Sequence, residues 1–374
     1  MNPSLQRWRS ARILSDRLFA LLDPAALYER PIPERHRIIF YLGHLEAFEW
    51  NLLRGGRKPF DPSLDRLFAF GIDPVGGGLP SDRPSDWPKE DAVRSYACRV
   101  REVLDGTESY PDLLMNVAIE HRLMHLETLT YMLHQLPLAS KRRDGPAELN
   151  VTGLPRKPGM IEVPAGEVTL GLSRNAGQFG WDNEFDAHTV PVQGFAIDHY
   201  KVTNGDYLEF VRAGGEAPVF WKRHGDQWVY RTMFEEIPMP LDWPVYVSHA
   251  NASAYARFIG KELPTEAEWQ RAARDAPIAG NYGCERWDPV PVTASGRGNG
   301  WEWTSTLFAP FAGFEPFPFY PGYSADFFDG QHYVMKGGSA RTAACMMRPS
   351  FRNWFQPHYP YVYAGFRCVT RDGK

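Results

Sequence analysis

Cysteine is scarce and scattered in this 374-residue chain. The four present, Cys98, Cys284, Cys345 and Cys368, include no Cys-x-x-Cys pair, which excludes a disulfide framework and a zinc ribbon. Long apolar runs are absent as well: none reaches the roughly 18 residues a membrane span needs, and no apolar leader opens the chain. A cytoplasmic protein without membrane contact is therefore expected. An excess of charge of either sign is also missing. The net charge is −4, with both signs spread along the sequence, so no electrostatic footprint for nucleic acid is present. No internal repeat is evident.

What remains is a chain long enough for two or three domains, with two textures. Residues 1–140 read as helical, with apolar residues at three- and four-residue spacing. Helices are expected over residues 11–22, 35–53, 90–104 and from about 110 to 136, with residues 55–88 as a loop rich in Gly, Pro and Asp. Four helices with one long connection fit an antiparallel bundle. Residues 141–160 read as a polar linker. From residue 161 short strand-like runs alternate with turns, at 161–163, 167–170, 189–192 and 195–197. Helices interrupt them near 203–211, 248–259 and 265–274; Ser248 is an N-cap candidate, and Thr265 with Glu268 has capping-box spacing. Residues 281–368 show little periodicity and many aromatics. The fold class is α+β.

The most informative stretch is Glu120-His121-Arg122-Leu123-Met124-His125-Leu126-Glu127. Side chains four apart on a helix lie on one face, so His121 and His125 can address one metal ion. His44, on an earlier helix, offers a third imidazole if the two helices pack together. Three imidazoles without a thiolate suit iron, zinc, copper or nickel, and leave positions open for water, substrate or oxygen. Glu127 is placed to orient a ligand histidine from behind. Glu46 and Glu49 read as a solvated or bundle-polar face.

The C-terminal half resembles the formylglycine-generating-enzyme (sulfatase-modifying factor) superfamily, whose fold is C-type-lectin-like. The resemblance rests on Val163-Pro164-Ala165-Gly166-Glu167, on Asp198 with Val202-Thr203-Asn204, and on Gly260-Lys261-Glu262-Leu263-Pro264-Thr265-Glu266-Ala267-Glu268-Trp269. Gly300-Trp301-Glu302-Trp303-Thr304, Lys336-Gly337-Gly338-Ser339 and Ala364-Gly365-Phe366-Arg367 extend it. Formylglycine generation itself needs a close cysteine pair near the C-terminus, and Cys345 and Cys368 lack that spacing. The N-terminal half resembles a DinB-type four-helix bundle.

The pairing of the two is similar to the ergothioneine-biosynthesis sulfoxide synthases of the EgtB family, as are Phe327-Phe328-Asp329-Gly330 and Arg348-Pro349-Ser350-Phe351-Arg352-Asn353-Trp354. That resemblance implies a non-haem iron(II) enzyme that uses O2 to join a chalcogen donor to C2 of the hercynine imidazole. It implies His44, His121 and His125 as iron ligands, and Tyr320 or Tyr323 as proton or electron donor. It also implies Asn353 and Trp354 as hercynine contacts.

Three departures from the family bear on substrate choice. Met124 replaces a frequent glutamine. Phe355 replaces a frequent acid that faces the trimethylammonium group, leaving that cation to ring faces such as those of residues 354–363. The loop over residues 70–84 holds one arginine, Arg83, where thiol-using relatives carry arginines that clamp the donor's carboxylates. A loop with three consecutive glycines and added acids suits a neutral, hydroxyl-rich donor, with Asp and backbone groups as its partners. The resemblance then points to the selenoneine-synthase (SenA) branch, which joins a selenosugar to hercynine. The alternative is an EgtB-type synthase using cysteine or γ-glutamylcysteine. Two readings from other classes are a zinc- or nickel-dependent thiol transferase and a ligand-display scaffold.

Overall fold

The structure, a computed structural model, describes residues 3–71, 78–107, 109–145, 149–151, 153, 156, 159–273, 280–294 and 298–371. The chain divides into two compact units, residues 1–146 and 147–374.

The first unit is helical. Its long helices are α1 (Pro3–Ala20), α2 (Ile38–Leu53), α4 (Glu90–Asp105) and α5 (Asp112–Gln135), and the short α3 (Pro62–Phe70) stands between the second and third of these. α1 starts eight residues before the expected position, and α3 lies where a loop was expected. The start of α3 is chemically plain. Asp61 caps it by accepting from the N–H groups of Ser63 and Leu64, and Pro62 occupies the first turn, where its missing N–H costs nothing.

α2 is the central element. It packs against α3, α4 and α5, while α1 packs on α5. Residues are buried on every side of α2, as befits a helix surrounded by others. Gly43 lets α3 come close: a Cβ there would lie 2.5 Å from the ring of Phe68. Residue 141, expected to begin a linker, belongs to this unit. Lys141 is buried and donates to the Leu133 and His134 carbonyls at the end of α5.

The second unit is built of short strands. One sheet has the order β1 (Met160–Val163), β4 (Phe195–Asp198), β12 (Val369–Arg371), and its apolar side packs with the hairpin of β2 (Gly166–Leu170) and β3 (His188–Val192). A second sheet runs β10 (Asn353–Phe355), β9 (Tyr333–Gly338), β8 (Gly300–Leu307), β11 (Ala364–Gly365); a third holds β5 (Trp221–His224), β6 (Gln227–Arg231) and β7 (Glu236–Pro238). The helices α6 (Asn204–Arg212), α7 (His249–Phe258) and α8 (Glu266–Ala272) begin at Thr203, Ser248 and Thr265, each side chain accepting a backbone N–H. A single turn, α9 (Gly322–Ala325), completes the set.

Buried carboxylates tie the irregular stretches together: Glu184 to Arg348, Glu266 to Arg352, and Glu302 to Arg367 and Lys201. No helix among the described residues is long and apolar enough to cross a membrane.

Candidate functional site

α5 has no Gly or Pro inside its 24 residues, so its 3.6-residue period runs unbroken through His121 and His125. α2 presents His44 to the same place. Each of the three side chains offers a ring nitrogen, and these nitrogens all lie within 4.8 Å of one another. His44 and His121 are buried and His125 is half-buried.

The helix missed in the sequence turns out to orient the cluster. His44 Nδ1 donates to the Phe68 carbonyl of α3 at 2.7 Å. That bond fixes the tautomer and leaves His44 Nε2 with a bare lone pair, which faces His125 Nε2 at 3.2 Å. Phe48 stacks on His121 with centroids 3.4 Å apart, and Phe40 stacks on His44.

Burial pushes His44 down to about 4, against the opposing pull of the Phe68 carbonyl. It pushes His121 and His125 well below the ordinary imidazole range, helped by the neighbouring rings and by Arg122. Three neutral imidazoles are what a divalent transition metal requires. The buried Nδ1 of His125 has no hydrogen-bond partner, so this donor set fits such an ion.

Met124, three residues past His121, shares that face and is half-buried. Glu127 is buried, but two residues from His125 it lies on another face of α5. Of the two settings expected for Glu46 and Glu49, the structure has the bundle-polar one: both are buried against Arg122 and neither is solvated. Asp82, expected among the partners of a sugar donor, is 7% exposed and already accepts from Arg30, Arg37 and Trp87. Residues 72–77 of the same expected donor loop lie outside the described residues.

In the second unit the candidate residues split into groups. Successive residues of a strand face opposite ways, so β10 sends Trp354 to one side and Asn353 and Phe355 to the other. Trp354 stacks on Phe308 with centroids 4.1 Å apart and meets Tyr323 and Phe327 at 5.5 and 5.6 Å. Phe355 stacks instead on Tyr359. Asn353 Oδ1 accepts from the Trp354 N–H at 2.9 Å, which sets the direction of its amide.

Tyr323 is buried and stacked on Trp181 at 3.9 Å; Tyr320 is half-buried, 5.4 Å from it. Burial pushes the Tyr320 hydroxyl up to about 12, with Asp182 and Asp326 adding to the effect.

Sequence reasoning missed what holds the tyrosine segment. Ser324 donates to Asp182, and Asn183 donates to Ser324 at 3.0 Å. Burial raises the Asp182 carboxyl above the usual range. The signal available was Trp181-Asp182-Asn183-Glu184, a polar run beside a tryptophan.

A profile of the Sulfatase-modifying factor enzyme 1-like domain matches residues 147–290 and 294–372. A protein of Mycolicibacterium smegmatis named Hercynine oxygenase is 32% identical, with 98% of this chain and 97% of that protein aligned. The chain belongs to the hercynine oxygenase family of ergothioneine biosynthesis (EgtB). Ergothioneine biosynthesis protein 1 of Neurospora crassa is 27% identical across 99% of this chain and 58% of its own length. The chain thus spans rather more than half of that fungal relative. The formylglycine-generating enzyme of Mycobacterium tuberculosis is 29% identical, but over only 56% of this chain. Hercynine oxygenase likeness therefore extends over both units, whereas formylglycine-generating likeness covers just over half the chain.

Proposed function

We propose that this hercynine oxygenase family member is a non-haem iron(II) enzyme that uses O2 to bond a sulfur donor to C2 of the hercynine imidazole. The observation that carries the reading is the cluster of three neutral imidazoles, His44, His121 and His125, in a chain of this family. Iron held there would bring O2 and the donor into one coordination sphere. The protein's own groups divide the remaining work. The Phe68 carbonyl keeps the His44 lone pair directed inward. Trp354 offers a ring face to the trimethylammonium cation, and Asn353 fixes substrate direction with its amide. Tyr323 or Tyr320 holds the proton to be delivered.

A second reading, a selenosugar donor and a selenoneine product, rests on the arginine-poor loop that carries Arg83 alone. The commitment of Asp82 to Arg30 and Arg37 removes one support from it, and the relatives favour the sulfur reading.

A competition assay tests both. The chain is loaded anaerobically with iron(II), then given air, hercynine and equal amounts of cysteine, γ-glutamylcysteine and a selenosugar. A thiol adduct of hercynine as the main product, seen by mass spectrometry, is expected. A selenium adduct would establish the second reading, and bound iron with no adduct would overturn both.

A further inference from the structure

Arg122 stands between the two histidines of α5 and is 1% exposed. Its Nε donates to Glu49 at 2.5 Å and its Nη2 lies 2.9 Å from Glu46, both on α2. The same guanidinium donates to the Leu45 carbonyl of α2 at 3.2 Å and to the Ser15 hydroxyl of α1 at 3.0 Å. The carboxylates continue the network. Glu49 also takes Arg12 of α1, and Glu46 takes Arg101 of α4 at 2.6 Å. Four helices therefore meet at one buried cluster of charges, and His44 shares α2 with both carboxylates.

Such a cluster is a weak source of stability, because desolvation cancels much of the attraction. Its distinctive capacity is to select one arrangement of helices. Sliding α5 along α2 by one residue moves a side chain 1.5 Å and turns it by 100°. An apolar interface penalises that slip mildly, whereas a buried guanidinium stripped of its carboxylates penalises it severely. Metal–nitrogen distances tolerate only about 0.2 Å.

We propose that Arg122 is a positioning residue for the three-histidine site: clamped to Glu46 and Glu49, it fixes the α2–α5 register in which His121 and His125 meet His44. The site is thereby formed before an ion arrives. This inference rests on the metal-binding reading above and says which residues build its geometry.

The experiment uses the full chain and cobalt(II), whose visible spectrum reports its ligand geometry. Two variants are compared with the native protein. Arg122→Lys keeps the charge and loses the planar fork. The triple variant Arg122→Met/Glu46→Gln/Glu49→Gln removes the clamp while leaving acceptors for Arg12 and Arg101. Cooperative thermal unfolding is followed in parallel. The expected result is folded variants that bind cobalt(II) roughly 10- to 100-fold more weakly, with an altered spectrum.

Folded variants with native affinity and spectrum would overturn the proposal and leave the network a purely structural one. If both variants fail to fold, Glu46→Gln, which keeps the Arg122–Glu49 bond, decides by the same two readouts. A native chain that takes up no cobalt(II) or iron(II) would overturn the metal reading, and this inference with it.

Discussion

In the helical unit the candidate imidazoles sit on long helices that buried ion pairs lock together. In the C-terminal unit the candidate rings sit on a three-residue edge strand and a single helical turn, held by stacking and by the Asp182–Ser324 bond. The contrast follows from what each set has to hold. An ion needs donor atoms placed to about 0.2 Å, so its ligands belong on rigid, fully satisfied elements. A quaternary cation needs only ring faces within about 6 Å, and partly exposed stacks supply them. Changes in the first unit should therefore abolish or sharply weaken binding, whereas changes in the second should grade it.

The largest effect tests the rigid side directly. His125→Ala removes one of the three donors, and we expect loss of bound iron and a fall in adduct formation beyond about 100-fold, the upper end for a change behind a ligand. Metal analysis with a turnover assay measures both; undiminished iron content would break the comparison at its root.

Next in size is Gly43→Ala. The new methyl collides with the Phe68 ring, which is fully buried. Overpacking of this kind costs about 1–3 kcal/mol, and calorimetric Tm should fall accordingly. Displacing Phe68 also moves the carbonyl that orients His44, so cobalt(II) affinity should fall with Tm. An unchanged Tm would show that α3 does not press on α2.

These two regions also differ in how much the sequence disclosed. The His121/His125 pair was legible because helical spacing alone puts both on one face, and Thr203, Ser248 and Thr265 declared their helices by local capping chemistry. α3 was obscured because its nine residues lie inside a stretch dense in Gly, Pro and Asp; Leu64, Leu67 and Phe68 do recur at helical spacing, and Asp61-Pro62 marks the start. For Glu46 and Glu49 the choice between a solvated and a bundle-polar face stayed open, because their partners, Arg12, Arg101 and Arg122, stand on three other helices that only folding brings near. β8 and β9 were missed because their residues are mostly buried in a sheet interior, so the alternation that marks a half-exposed strand is absent.

A third change sharpens the C-terminal side. His249 stacks on Tyr333 at 3.7 Å, and burial brings its ring down from 6.5 to about 4, with the Thr304 backbone opposing and Arg257 and His358 adding. The unfolded chain takes a proton there below about 6.5, and the folded chain does so only near 4. Stability from this group is thus complete above the unfolded value and is lost as pH falls through that window. At pH 5 the loss amounts to roughly 2 kcal/mol. Denaturant titrations at pH 7.5 and 5 should show a larger loss in the native chain than in His249→Phe by about that amount, the three buried imidazoles of the helical unit adding their own loss to both. An equal loss in both would place the acid sensitivity elsewhere.

The smallest expected effect separates the two modes of holding most cleanly. Trp354 lies flat on Phe308 at 4.1 Å with 7° between the planes, so one indole face is already covered and only the other could meet a ligand. Trp354→Ala should weaken hercynine binding by about 2- to 30-fold, the worth of one cation–ring contact of about 0.5–2 kcal/mol. Trp354→Phe keeps a face and should recover most of the loss. Metal content should not change in either variant, because the imidazoles belong to the other unit. Titration calorimetry with hercynine and metal analysis on the same samples read both quantities. A drop in iron content on losing Trp354 would mean that the two units do not divide the work as their construction suggests. Unchanged hercynine affinity would mean that the trimethylammonium group is held by other rings, with Phe355 and Tyr359, stacked at 5.1 Å, the next to alter.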